Sequence, residues 1–175
     1  MKRLSIFAVA ALFSSLAFAQ TKNVKQVKNE MPNQPYKVGA THISIGNDAY
    51  AQKILWVWKF YDDNTLDKAA GLLADDVEAT LPDGTIVKGK DNFMNGIKAI
   101  RNNIASSVST VDACVTLKSP DDPDHEVVSI WGSETDTNKD GTITKVYLNE
   151  VWFFNKEGKV VEFHQFAAKG TPDKN

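Results

Sequence analysis

The sequence predicts an α+β domain in which helices pack on one face of an antiparallel sheet. Three observations carry this reading. Helical periodicity is confined to residues ~48–104, four β-rich runs follow it one after another, and turn residues bound each run. No internal repeat is visible, and the stretch after residue 47 suits a single core.

Taken in order, the first segment is not part of the domain. Lys2 and Arg3 form a charged start, Leu4 to Leu16 is a short apolar run, and Ala17-Phe18-Ala19 reads as a small-x-small cleavage site before Gln20. The apolar run is too short to span a bilayer. Residues 1–19 are therefore expected to be a removable signal peptide. No Cys follows the cleavage site to take a lipid, so the processed protein is expected to be periplasmic or secreted and free of the membrane. Residues 20–47 are polar, rich in Lys, Asn and Gln, with Pro32 and Pro35, and read as a flexible leader. The folded domain is expected over 48–170.

A helix is predicted over ~48–63, with Tyr50, Ile54, Val57 and Tyr61 at helical spacing and Leu55 and Trp58 widening the stripe. Thr65 is placed to cap a short helix over Leu66–Leu73. Val77–Leu81 reads as a strand closed by the turn Pro82-Asp83-Gly84. A third helix from about Asp91 presents Phe93, Ile97, Ile100 and Ile104. Strands are then predicted near 109–118, 126–135, 142–154 and 159–168. The last two flank Asn155-Lys156-Glu157-Gly158, whose Gly supplies the positive φ of a short hairpin loop.

The formal charge of −2 becomes −4 once Lys2 and Arg3 are removed, and no basic stripe is present. That balance argues against nucleic acid as a partner. Cys114 is the one cysteine, so an internal disulfide is excluded. It lies in a β-rich run and reads as a small buried hydrophobe. His42, His125 and His164 are too scattered for a metal cluster, and no zinc spacing exists. Asp136-Thr137-Asn138-Lys139-Asp140-Gly141-Thr142-Ile143 copies the first half of a calcium loop. Its twelfth position is Tyr147 where a Glu is required, and no helices flank it. Asp and Asn are also what a hairpin turn prefers, and no metal is expected. Asp75 and Asp76 read as a solvated loop. No nucleophile elbow, phosphate loop or dinucleotide fingerprint occurs, and no cofactor is expected.

The stretch Tyr50–Lys169 resembles the nuclear transport factor 2-like superfamily, in particular its SnoaL-like branch of small bacterial proteins. The matching pieces are the Trp-bearing first helix, Leu73-Ala74-Asp75-Asp76-Val77, Leu81-Pro82-Asp83-Gly84 followed by Lys88-Gly89-Lys90, and the C-terminal hairpin. The resemblance implies a cone: a curved antiparallel sheet wrapped around N-terminal helices, an α+β roll of the cystatin-like kind, with a pocket at its open end. It also implies a homodimer through the sheet. Fold alone does not settle chemistry, since the superfamily holds isomerases, cyclases, hydrolases, binding proteins and scaffolds. In the register of the ketosteroid isomerases, Glu150 stands where those enzymes place a hydrogen-bonding acid. Their catalytic base falls on Leu81 and their tyrosine at about Val57. Leu cannot abstract a proton and Val cannot hydrogen-bond an oxyanion, which argues against chemistry of that kind.

Glu150 is the residue of greatest interest, a single carboxylate among Leu148, Val151, Trp152, Phe153 and Phe154. It reads either as a pocket acid of raised pKa or as an acid paired across the sheet or exposed at its edge. His164 joins it as a catalytic candidate if the two face each other across the hairpin. The isomerase-like register instead sets Glu150 beside Phe163 and Gln165, with His164 on the opposite face. The pocket is expected to be lined by Trp58, Leu81, Trp131, Leu148, Trp152, Phe163 and Gln165. The function expected is the binding of a small apolar organic ligand. The alternative is a cofactor-independent isomerase- or cyclase-type enzyme using Glu150, with or without His164, as acid or base.

Overall fold

The computed structural model describes residues 35–40 and 42–171. The segments expected to be a signal peptide (1–19) and, for the most part, a leader (20–47) lie outside the described residues. In chain order the elements are β1 Ser44–Ile45, α1 Asp48–Asp62, a 3-10 helix Leu66–Leu72, β2 Leu73–Thr80, β3 Ile86–Lys88, α2 Lys90–Arg101, β4 Ile104–Ser119, β5 Asp122–Asn138, β6 Ile143–Phe154 and β7 Val160–Lys169.

Helix α1 begins where Asn47 accepts a hydrogen bond from the Ala49 N–H at 3.0 Å, with Asp48 complementing the positive end of the helix. Its buried stripe is Ala51, Ile54, Val57 and Trp58. The helix stops at Asn64, the single non-glycine residue with positive φ among those described. Thr65 does not cap the 3-10 helix. Its backbone lies outside the extended region that a cap needs, and its hydroxyl is buried without a partner. Helix α2 buries Phe93 and Met94. The stripe expected to run on through Ile100 and Ile104 breaks there, because Ile100 is exposed and Ile104 opens β4. Arg101 ends α2 as a clamp, donating from Nε to the Tyr61 carbonyl (2.6 Å), from Nη2 to Asp62 (2.8 Å) and from Nη1 to Ile104 (2.9 Å). The Asp62 carbonyl at the end of α1 thereby gains a donor, the Tyr61 carbonyl gains a second beside the Asn64 N–H at 3.0 Å, and both helices are tied to the start of β4.

The sheet runs β1-β4-β5-β6-β7-β2-β3. Every neighbouring pair is antiparallel except β2 with β7, which is parallel. Ser44–Ile45, read from composition as leader, pair with Leu117 and Lys118 of β4. Backbone pairing at a sheet edge needs no apolar side chains, so composition did not signal it. Asp75 and Asp76 lie within β2 rather than in a loop, and Asp75 is ion-paired with Lys90.

Curvature comes from register shifts in the long β4–β5 pair, between Ile104 and Ser106, Val111 and Ala113, and Lys118 and Ser119. Gly132 sits opposite the second of these. A Cβ there would lie 2.0 Å from the Thr110 carbonyl oxygen, so only glycine permits the approach. At the β6–β7 hairpin, Gly158 has φ +72 and closes the turn onto Asn155 with a 2.9 Å backbone hydrogen bond. The concave face holds the core: Ile54, Val57 and Trp58 from α1 and Phe93 from α2 pack against Val128, Ile130, Trp152, Phe154, Val160 and Phe163.

Candidate functional site

Strand alternation decides what faces the helices. On β6 the buried set is Leu148, Glu150, Trp152 and Phe154. The pairing Glu150↔Gln165, with Trp152↔Phe163 and Leu148↔Ala167, brings the inward side chains of β7 beside them. On β5 the same face carries Ile130, Gly132, Glu134 and Asp136, because Ile130 pairs with Glu150 and Glu134 with Val146. Between this surface and the two helices lies a cavity of about 310 Å³. Its walls are mostly apolar: Val57 and Leu66, Leu81 and Val87, Phe93, Ile97 and Ile100 of α2, and Val146, Leu148 and Ala167 of the sheet. The polar groups are Glu134, Asp136, Glu150 and Gln165 on the sheet, with Ser109 of β4, Tyr61 of α1 and Asn92 of α2.

Glu150 is 5% exposed. Three N–H groups donate to its carboxylate: Trp58 Nε1 to Oε2 at 2.6 Å, Trp152 Nε1 to Oε2 at 3.1 Å, and Gln165 Nε2 to Oε1 at 2.8 Å. Burial raises the pKa of this acid and the three donors oppose the rise; burial is the stronger and the pKa stays above the ordinary value. Indole N–H groups donate and cannot accept, so Oε2 is saturated and the carboxyl is locked in orientation.

A second acidic group lies further along the concave face, on β5. Burial, the neighbouring charge of Asp136 and a hydrogen bond with that residue push Glu134 up to about 9, so it holds its proton near neutral pH. Asp136 is 9% exposed, and its Oδ1 has no hydrogen-bond partner. Tyr61 is also raised, first by burial and then by the charges of Glu134 and Asp136, and stays a phenol. Asp62, at the end of α1, accepts from the Ser109 hydroxyl at 2.8 Å and so fixes the edge of the same wall.

Of the residues expected in the pocket, Trp58, Leu81, Leu148, Trp152, Phe163 and Gln165 line the cavity together with Glu150. Trp131 does not. It follows inward-facing Ile130 by one residue, pairs with Asn149, and points out of the convex face at 39% exposure. There it shares a patch with exposed Tyr147 and Phe166. His164 pairs with Val151, one position out of step with Glu150, and therefore also faces away from the cavity. Its Nε2 is hydrogen-bonded to Glu162 Oε1 at 2.7 Å, and its ring lies 5.5 Å from that of Phe153.

Glu134 was not singled out from the sequence, nor was Asp136 as a cavity residue, although alternation from Ile130 along β5 was there to be followed. The calcium-like spacing drew attention to Asp136 as a loop residue. In the structure it belongs to β5 and faces the cavity, while Asp140 accepts hydrogen bonds from the Thr142 N–H (2.9 Å) and hydroxyl (2.7 Å) within the turn. Among the described residues, no three His, Cys, Asp or Glu side chains are grouped to hold a metal. Cys114 is half-buried, with Sγ 3.6 Å from the Ala51 carbonyl. Burial pushes its thiol up to about 11, which leaves it protonated and unreactive at neutral pH.

Cone, helices and cavity define the class: an α+β roll built around a pocket. The chain has the nuclear transport factor 2-like fold. A protein of that fold and of unknown function from Burkholderia pseudomallei K96243 is 21% identical with a TM-score of 0.56, covering 68% of this chain and 90% of that one. IdmH from Streptomyces antibioticus, a proposed polyketide cyclase, is 14% identical with a TM-score of 0.54 over 67% of this chain and 91% of its own. An LEH-like epoxide hydrolase of M. tuberculosis is 7% identical with a TM-score of 0.56 over 69% and 84%. At such identities the likeness is one of fold. No family model and no curated protein matches the sequence.

Proposed function

We propose that the protein is an exported, SnoaL-like small-molecule-binding domain whose cavity takes a largely apolar organic ligand. One observation carries the reading: a cavity of about 310 Å³ walled by aliphatic and aromatic side chains, with a few polar groups among them. Binding is favoured over catalysis by Glu150, because two indoles occupy Oε2 and a side-chain amide holds Oε1. An acid so restrained positions its neighbours; proton transfer would require breaking these contacts. The alternative partnership of Glu150 with His164 is set aside, since the two face opposite sides of the sheet.

A second reading, a cofactor-independent enzyme, is favoured by Glu134, a protonated acid beside Asp136 in the cavity wall. Isomerases and cyclases need such a proton donor near an acceptor. Export rests on the charged, apolar and small-x-small order of residues 1–19. Among the described residues, no helix is long and apolar enough to cross a membrane.

The test is native mass spectrometry of the protein purified from its own host. A co-purified molecule, lost in Ala167→Trp, which fills the cavity mouth, is the expected result. Retention in that variant would place the ligand elsewhere. The mass of the processed chain also reports cleavage after Ala19.

A further inference from the structure

The cavity is acidic as well as apolar. Glu134, Asp136 and Glu150 all line it, and among the described lining residues there is no Lys, Arg or His. The nearby guanidinium of Arg101 is engaged by three backbone carbonyls. Glu150 has donors on both oxygens, whereas Asp136, bonded to Glu134, has none on Oδ1. Its side chain is nine-tenths buried, it lines the cavity, and Oδ1 has no partner. Buried polar atoms in folded proteins are almost always paired, so an orphaned acceptor in a cavity wall marks a place for a donor. An anionic ligand would meet three carboxyls. A neutral hydroxyl would give Asp136 one hydrogen bond and leave the charge unanswered. An ammonium supplies up to three donors and the opposite charge. The aromatic residues Trp58, Phe93, Trp152 and Phe163 among the walls also suit a cation attached to an apolar body.

We propose that the ligand is a small organic amine, bound as its ammonium ion against Asp136 Oδ1 and the Glu134 carboxyl, with its apolar part filling the remainder of the cavity. The inference rests on the small-molecule-binding reading and adds the charge of the ligand to it.

Calorimetric titration of the intact processed protein with three near-isosteric probes tests it: 2-phenylethylamine, 2-phenylethanol and phenylacetate. The amine should bind about ten-fold or more tighter than the alcohol, as a charge-assisted hydrogen bond implies, and phenylacetate should bind least. Asp136→Asn should bring the amine down toward the alcohol. Circular dichroism melting of the variant confirms that it is folded, and the ranking of probes on the unaltered protein stands without it. If the alcohol binds as well as the amine, or folded Asp136→Asn keeps full amine affinity, the cation is wrong while the apolar cavity survives. Failure of all three probes to bind overturns both.

Discussion

The indole of Trp58 donates to Glu150 at 2.6 Å, joining the first helix to β6 across 92 residues of sequence. This contact is buried, and it opposes the burial that raises the pKa of Glu150. Trp58→Phe keeps most of the packing and removes the donor, which should destabilise the protein by about 1–3 kcal/mol. The donor favours the ionised form, so its loss raises the pKa of Glu150 further. The deficit should therefore grow as pH rises. Urea unfolding at mildly acidic and mildly basic pH measures this, and an equal deficit at both would mean that Trp58 contributes packing alone.

Glu134 is expected to contribute to the pH dependence of stability. Its folded pKa, pushed up to about 9, exceeds the unfolded value of a glutamate, so the native state holds the proton more tightly. Its stabilising contribution is complete below the unfolded value and is lost as pH rises through the folded one. The slope is at most about 1.4 kcal/mol per pH unit for one proton. Glu134→Gln should flatten the curve of unfolding free energy between pH ~5 and ~9. A variant curve parallel to that of the unaltered protein would show Glu134 to be an ordinary solvated acid.

Gly132 permits the close approach of β5 to β4 that bends the sheet. Gly132→Ala drives a methyl group against the backbone of Thr110, and backbone cannot yield as a side-chain tip can. A loss of about 1–3 kcal/mol is expected, as for other overpacked sites. The bend also shapes the cavity wall around Ser109 and Glu134, so probe binding should weaken with stability. Unchanged melting would mean that the strands separate there at little cost.

On the convex face, exposed Trp131, Tyr147 and Phe166 form an aromatic patch across three neighbouring strands. The homodimer through the sheet that the family resemblance implies would cover it. Light scattering should show a dimer that Trp131→Asp converts to a monomer without loss of fold. A monomeric unaltered protein at ~100 μM would sink this arrangement, because a stable interface of ordinary size holds well below that concentration.

His164→Ala should leave probe binding at the cavity unchanged, since the ring lies beyond the sheet beside Glu162 and Phe153. An effect of several-fold on affinity would mean that the sheet transmits to the cavity, or that the β6–β7 register differs in solution.

Local sequence determined the order of the helices and longer strands, though not the short strands β1 and β3, because periodicities of 3.6 and 2 residues and turn residues such as Gly158 act over a few neighbours. Alternation along β6 was equally legible, and with it the shared face of Leu148, Glu150, Trp152 and Phe154. Register was not. Placing His164 opposite Val151 rather than Glu150 depends on the closed geometry of one turn, and a single-residue slip would exchange the two faces. Trp131 was misplaced for the same reason, since a large apolar side chain reads identically on either side of a strand. Glu134 escaped notice and Asp136 read as part of a turn, because a carboxylate looks solvated in sequence. Only the packing of α1 and α2 over the concave face removes water from it, leaves Asp136 Oδ1 without a donor, and turns two polar residues of a hairpin arm into the wall of a cavity.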